Sequence, residues 1–540
     1  MTTTGGASPT TAARTPRDPR LDFFRGMAMF IILMAHTPGN TWTLWIPARF
    51  GFSDATEIFL FCSGMASALA FGAVLANRGW LMGAARIVFR VWQVYWAHIG
   101  IFLITAMMLF SIDHFEVELE GKKYVYAPYV VPFFSKTGEA VLGLMTLTWM
   151  PGFFDILPMY LVVLGMIPVV MALHRFGGVW AVIAFSLGLW LMANLAGWSR
   201  QVASWEHDPL PWQAALAEIG SRFTWMNLPS NPFCEHTWFF YPFAWQLIFF
   251  TGFAFRMGWL PAPKVRRWII WLAVAYVPAV VPFAWFKIHQ GIFLPADWAP
   301  AMWIKETRTA IEPLWWKSWI GGLGYLHFLA LAYVACIAVG PMGVRLSQGL
   351  DSRGPAPRWG LWLAGAVALV TVPYSYIDEI KALSPGLGRW FFETIPIVHG
   401  DRVGLVQILH LVSVIVLVWV AIVPRAREWL ARDLVLMAVP VIRKVGTQSL
   451  AVFMASIPLA RFNGWVIDMI GRDPWIRAAV NLAGFAALIA VAYAVAWFKR
   501  QPWRAQPPAA AAAAAAQPGT ADGARGADGR GRPPLAAIRA

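Results

Sequence analysis

The sequence predicts an all-α, polytopic membrane helix bundle of about twelve transmembrane helices, with ten as the fallback count. Three observations carry this. First, 59% of the 540 residues are hydrophobic and only 13% are charged, where a soluble domain keeps about a quarter charged. Second, mainly apolar runs recur along the whole chain, each near the ~20 residues that cross a ~30 Å hydrocarbon layer. Third, these runs lack a two-residue alternation, so they are helices and not barrel strands, because lipid offers the backbone no partners. The 32 tryptophans suit the same solvent, since indole rings favour the membrane interface.

Spans are drawn at about 22–39, 55–76, 87–110, 155–173, 178–197, 238–258, 268–287, 319–340, 359–376, 403–423, 446–464 and 477–498. With the N-terminus inside, the short cytoplasmic loops collect Arg78 and Arg86, His174 and Arg175, then Arg256, Lys264, Arg266 and Arg267. Arg345, Arg353 and Arg358 follow, then Arg425, Arg427 and Arg432, and finally Lys499, Arg500 and Arg504. Opposite loops carry acid: Asp113, Glu116, Glu118 and Glu120, then Glu206 and Asp208. This is the positive-inside pattern, with both termini cytoplasmic in a bacterial inner membrane.

Two segments resist the count. Residues 139–150 are too short to cross and are expected to end at Pro151-Gly152, re-entrant or along the outer interface. Residues 433–445, with Pro440, Arg443 and Lys444, are read as lying on the inner surface. The domain plan is a disordered cytoplasmic segment 1–20, a transmembrane domain 21–498 and a low-complexity tail 499–540 with eight consecutive alanines at 509–516.

The net charge of +15 does not imply nucleic acid. Residues 1–20 contribute +2 and 499–540 contribute +5, and much of the rest sits in topology-setting loops. Cys62, Cys234 and Cys336 share no short spacing, so neither a disulfide framework nor a metal motif is expected. No cleavable signal peptide is expected before the first apolar run.

Ionisable residues inside apolar runs are functional candidates, since charge at the bilayer centre is costly. Arg25 and His36 lie eleven residues apart in the first span, close to three turns and about 16 Å along the axis, so both are expected to face one shared cavity. A permanent guanidinium suits an anionic ligand arriving from the cytoplasm, and an imidazole near neutrality suits proton removal from a hydroxyl. Singly, Arg25 is as readily a snorkelling residue and His36 a packed one. Their common face and Gly26, which permits close helix approach, favour function. Asp54 and Glu57 form a capping-box pattern, and Asp54 is also placed to orient His36 as the acid of a His–Asp dyad. Arg86 and Arg90 are an i, i+4 pair, either topology signals or a clamp for coenzyme A phosphates. Asp155 caps the fourth span or binds substrate. Gln246 is either a helix–helix bond or a substrate contact. His327 and His410 occur in similar apolar settings, and either reads as packing.

Several segments carry a family resemblance: RLDFFRGMAMFIILMAH at 20–36, FGFSDATEIFLFCSGMASALAFG at 50–72, DILPMY at 155–160, YPFAWQLIFFTG at 241–252, LHFLALAYV at 326–334 and GTQSLAVF at 446–453. In this order they closely resemble the OpgC family, within a wider group of integral-membrane acyltransferases. The resemblance covers most of residues 20–464. It implies transfer of an acyl group, succinyl in that family, from cytoplasmic acyl-CoA to hydroxyls of a periplasmic glucan. It implies no bound cofactor, with the acyl-CoA as donor substrate, and Arg25 and His36 match the wider group's signature pair. The chain looks longer than a ten-span member, and two histidines, His327 and His410, compete for one motif position. The runner-up reading is a secondary transporter of a small anionic or sugar substrate, although no repeat relates residues 20–260 to 265–500. A non-catalytic scaffold for glucan synthesis is a third.

Overall fold

The computed structural model describes residues 18–504 apart from 116, 118–120, 127–128, 207, 291–297, 349–357, 376–383, 385, 387–404 and 422–431. The described residues are helical and contain no strand, only an isolated antiparallel bridge between Pro229 and Thr237. The chain divides into two compact units, residues 1–493 and 494–540. That boundary falls inside the last predicted span, five residues before the tail expected at 499. Residues 1–17 and 505–540, assigned as disordered ends, lie outside the described residues, as do Glu116, Glu118, Glu120, Arg353, Arg425 and Arg427.

Among the described residues sixteen helices have ten or more residues. They are α1 (Pro19–His36), α2 (Ala55–Arg78), α3 (Trp80–His114), α4 (Thr137–Thr146), α5 (Ile156–Gly165), α6 (Ile167–Ala203), α7 (Pro211–Ser221) and α8 (Pro242–Met257). They continue as α9 (Arg267–Ala284), α10 (Ala299–Ala310), α11 (Gly322–Val339), α12 (Arg358–Ser375), α13 (Leu405–Ala421), α14 (Leu434–Thr447), α15 (Ser449–Ile470) and α16 (Pro474–Arg500). Each of the twelve predicted spans overlaps a helix among the described residues. By length and composition, seven stretches among the described residues suffice to cross a membrane. One of them, Ile156–Ala203, has 48 residues, about 72 Å of helix and far more than one crossing. Gly178 interrupts it with φ 65° and ψ −164°, where the predicted spans 155–173 and 178–197 part. Large apolar side chains such as Phe89, Trp271 and Trp362 are exposed on α3, α9 and α12, the expected dress of a lipid-facing surface.

Glycines set the central packing. A Cβ on Gly64 of α2 would stand 1.9 Å from the Phe249 carbonyl oxygen of α8, and one on Gly252 of α8 would stand 2.2 Å from the Phe61 carbonyl oxygen. Only residues without a side chain let the two backbones meet so closely. The same reciprocity joins α1 to α14, where Gly26 faces the Ile442 carbonyl and Gly446 faces that of Asp22. The segment expected on the inner surface is therefore packed against the first helix, because Gly446 and Gly26 admit it there. The 139–150 segment is helical only to Thr146 and stops with Leu147 at φ 59°, before Pro151.

Candidate functional site

The last turn of α1 presents His36, which is half-buried. The segment after it is held firmly: Asn40 and Asn481 exchange amide hydrogen bonds at 2.9 and 3.0 Å, and Arg477 Nε donates to the Gly39 carbonyl at 3.0 Å. His36 Nδ1 lies 2.8 Å from the Ile32 carbonyl oxygen. A carbonyl only accepts, so Nδ1 donates, and the neutral ring carries its lone pair on Nε2. The imidazole stands edge-on to Phe153, with ring centroids 5.5 Å apart. Phe153 holds φ 78°, a left-handed conformation unusual for a bulky residue. On its ring rests the guanidinium of Arg461 from α15, 4.0 Å from the centroid. His36, Phe153 and Arg461 thus form one contact chain.

Asp54 and Glu57 make the predicted capping box. The Thr56 amide donates to Asp54 Oδ1 at 2.6 Å and the Asp54 amide to Glu57 Oε2 at 2.7 Å. The expected His36–Asp54 hydrogen bond is absent, because Asp54 Oδ2 pairs with Lys317 Nζ and His36 Nδ1 is bonded within its own helix. Lys317 also lies 3.4 Å from Glu57 Oε2. Burial works to raise the Asp54 carboxyl, but the Lys317 charge and the cap bonds outweigh it and hold it well below the usual carboxylate range. Burial likewise opposes the Lys317 ammonium, and the two carboxylates outweigh it and hold Lys317 above the ordinary lysine range.

Two cavities flank this cluster. One of about 140 Å³ is lined by Phe52, Ser53, Asp54, Arg308, Trp315 and Lys317. The other, about 380 Å³, is lined by Asp155 with Trp238, Tyr241, Trp316 and Trp319, and by Arg200 and His236. Asp155 makes no side-chain cap bond to α5, and burial pushes its carboxyl up to about 7 where it meets the cavity just ahead of that helix. His327 does not line the first cavity but backs its wall, with Nδ1 2.7 Å from Ser53 Oγ. His410 instead joins Thr371 Oγ1 at 3.0 Å, tying α13 to α12.

The other predicted residues sort unevenly. Arg25 is half-buried and its Nη2 donates to Ser449 Oγ at the start of α15. Between Arg25 and His36 the same face of α1 is filled by Met29 and Ile32, 0% and 3% exposed. The single cavity expected to join the pair is therefore closed by apolar packing. Gln246 is corrected as a substrate contact: it is fully buried, accepts from Ser186 Oγ at 2.7 Å and donates to the Ser186 carbonyl at 2.7 Å and to that of Phe243 at 3.2 Å. Its polar capacity is spent within the bundle. Arg86 is exposed, Arg90 donates to Gln93 at 3.1 Å, and neither lines the two cavities. Among the described residues no cluster of His, Cys, Asp and Glu suits a metal ion.

Sequence reasoning missed Lys317, Phe153, Arg461 and the tryptophans of 315–319. Arg461 alone had a signal: it is an ionisable residue within an apolar run. No curated protein and no solved structure matches the chain. A family model described as OpgC protein matches residues 17–352 and 340–500, nearly all of the described chain. The chain belongs to the OpgC protein family.

Proposed function

We propose that the protein is a membrane O-acyltransferase that moves an acyl group, succinyl, from cytoplasmic acyl-CoA to hydroxyls of a periplasmic glucan. The observation that carries this is His36, whose Nδ1 is engaged by its own helix and whose Nε2 is left basic. In the reaction, Nε2 takes the proton of a glucan hydroxyl as its oxygen attacks the thioester carbonyl carbon. The C–S bond then breaks, and the imidazolium returns the proton to the departing coenzyme A sulfur. The donor arrives from the side of Arg25, with the exposed Arg86 and the half-buried Arg90 offered to its phosphates. The aromatic cavity at Trp238, Tyr241, Trp316 and Trp319 suits the flat faces of sugar rings, and Asp155 offers acceptors to their hydroxyls. Asp54 acts through the Lys317 pair, as a fixed charge behind His36, and not as its hydrogen-bond partner. Both termini are cytoplasmic in this reading, which puts His36 toward the periplasmic side.

The test is replacement of His36 by alanine, followed by mass spectrometry of periplasmic glucans and immunodetection of the protein in membranes. The expected result is unmodified glucan with the protein still inserted. Modification by H36A at the wild-type rate would falsify the role given to His36.

A further inference from the structure

The residue the mechanism has not used is Arg461. It sits inside α15, its side chain only 6% exposed. Its Nη2 is fully buried without a hydrogen-bond partner among the described residues. Among the described residues no ion pair joins it to a carboxylate: Asp54 and Glu57 pair with Lys317, and Asp468 of its own helix with Lys122 and Arg472. Its guanidinium rests on the face of Phe153, the same ring that packs T-shaped against His36. A guanidinium cannot shed its charge, and an uncompensated one in an apolar bundle is costly. Such a group is kept where an anion joins it during function. The strained φ of Phe153 is a second mark of the place.

We propose that Arg461 is the specificity-determining residue of the transfer site, holding the free carboxylate of a dicarboxylic acyl chain whose thioester carbonyl lies at His36 Nε2. This rests on the acyl-transfer reading and adds to it the residue that recognises the free end of the acyl chain. The phosphates of coenzyme A are separated from the thioester by the whole pantetheine arm. The anion that arrives one aromatic ring away from the base is therefore at the other end of the acyl group. Guanidinium and carboxylate match as planar forks, and Phe153 is the apolar wall beside which the methylene chain lies. A monocarboxylic acyl chain of the same length would leave the guanidinium buried and unpaired, which is how the site discriminates.

The test uses the full-length protein purified in detergent, as wild type, Arg461→Met and Arg461→Lys. Methionine removes the buried charge with little change in volume, so this variant is expected to fold. In the first arm, thermal unfolding is followed against disodium succinate and against sodium butyrate at matched ionic strength. Succinate raises the wild-type midpoint and butyrate does not, and R461M loses the succinate response. In the second arm, transfer from succinyl-CoA is compared with transfer from butyryl-CoA, which has the same four carbons. Wild type prefers succinyl-CoA on the order of 100-fold, R461M abolishes the preference mainly through KM, and R461K recovers part of it. Equal slowing of both donors in R461M, or no succinate response in wild type, overturns the assignment. If wild type transfers neither group, the acyl-transfer reading fails, and the first arm still decides whether Arg461 holds a carboxylate.

Discussion

Replacing Gly26 with alanine probes the link from helix packing to chemistry. The added Cβ would stand 2.0 Å from the Ile442 carbonyl oxygen, where ordinary contact begins at 3.4 Å. The nearest of its neighbours is a backbone oxygen, which cannot rotate away, so α1 and α14 must part by about 1.4 Å. Overpacking of this kind costs about 1–3 kcal/mol. The larger effect is positional, because α1 carries Arg25 on one side of Gly26 and His36 ten residues beyond it. A displacement of about 1 Å at a reacting group slows chemistry about 100-fold. The assay is glucan modification per unit of membrane-inserted protein, with thermal unfolding in detergent measured in parallel. Gly446→Ala, which brings a Cβ to 1.8 Å from the Asp22 carbonyl oxygen of the same pair, is expected to behave alike. The double variant should cost less than the sum, since one separation relieves both clashes. Wild-type activity and stability in G26A would refute the reasoning and show that α14 is not held against α1 as described.

Lys317→Met leaves Asp54 and the nearly buried Glu57 without their cation and should destabilise the protein by about 3 kcal/mol. Thermal unfolding reads the loss, and adding Glu57→Gln should restore part of it. The depressed Asp54 pKa makes its contribution present above about pH 4 and lost as acid carries the pH down through the folded value. The acid limb of the unfolding midpoint should therefore flatten in Asp54→Asn. Gln246→Leu should cost about 1–3 kcal/mol by orphaning Ser186, with the KM for glucan unchanged, and a raised KM would return Gln246 to the binding site. His410→Leu should leave transfer at the wild-type rate, since its Nδ1 ties α13 to Thr371 and Ala368 of α12 and lines neither cavity. A tenfold loss would show that this helix pair serves the reaction.

The helices were legible because lipid imposes one rule on every segment: enough apolar residues, and no open backbone. Gly26 was legible as a packing residue, and the capping box at Asp54 and Glu57 was read from a spacing of three. Lys317 was not, because it lies in a loop 260 residues from Glu57, and no local pattern announces a partner that distant. The same limit explains the pair that sequence analysis valued most. Helical periodicity gives the direction in which a side chain leaves its own axis, and on that ground Arg25 and His36 belong together. It says nothing of what stands opposite at each level. Opposite Arg25 stands Ser449 at the start of α15, opposite His36 stand Phe153 and then Arg461 of that helix, and between these levels Met29 and Ile32 are packed. A donor held near Arg25 therefore meets the base only if its long arm threads past that packing or the packing opens. The place to look for a gating motion is accordingly the packing around Met29 and Ile32 of α1, and not the two charged ends.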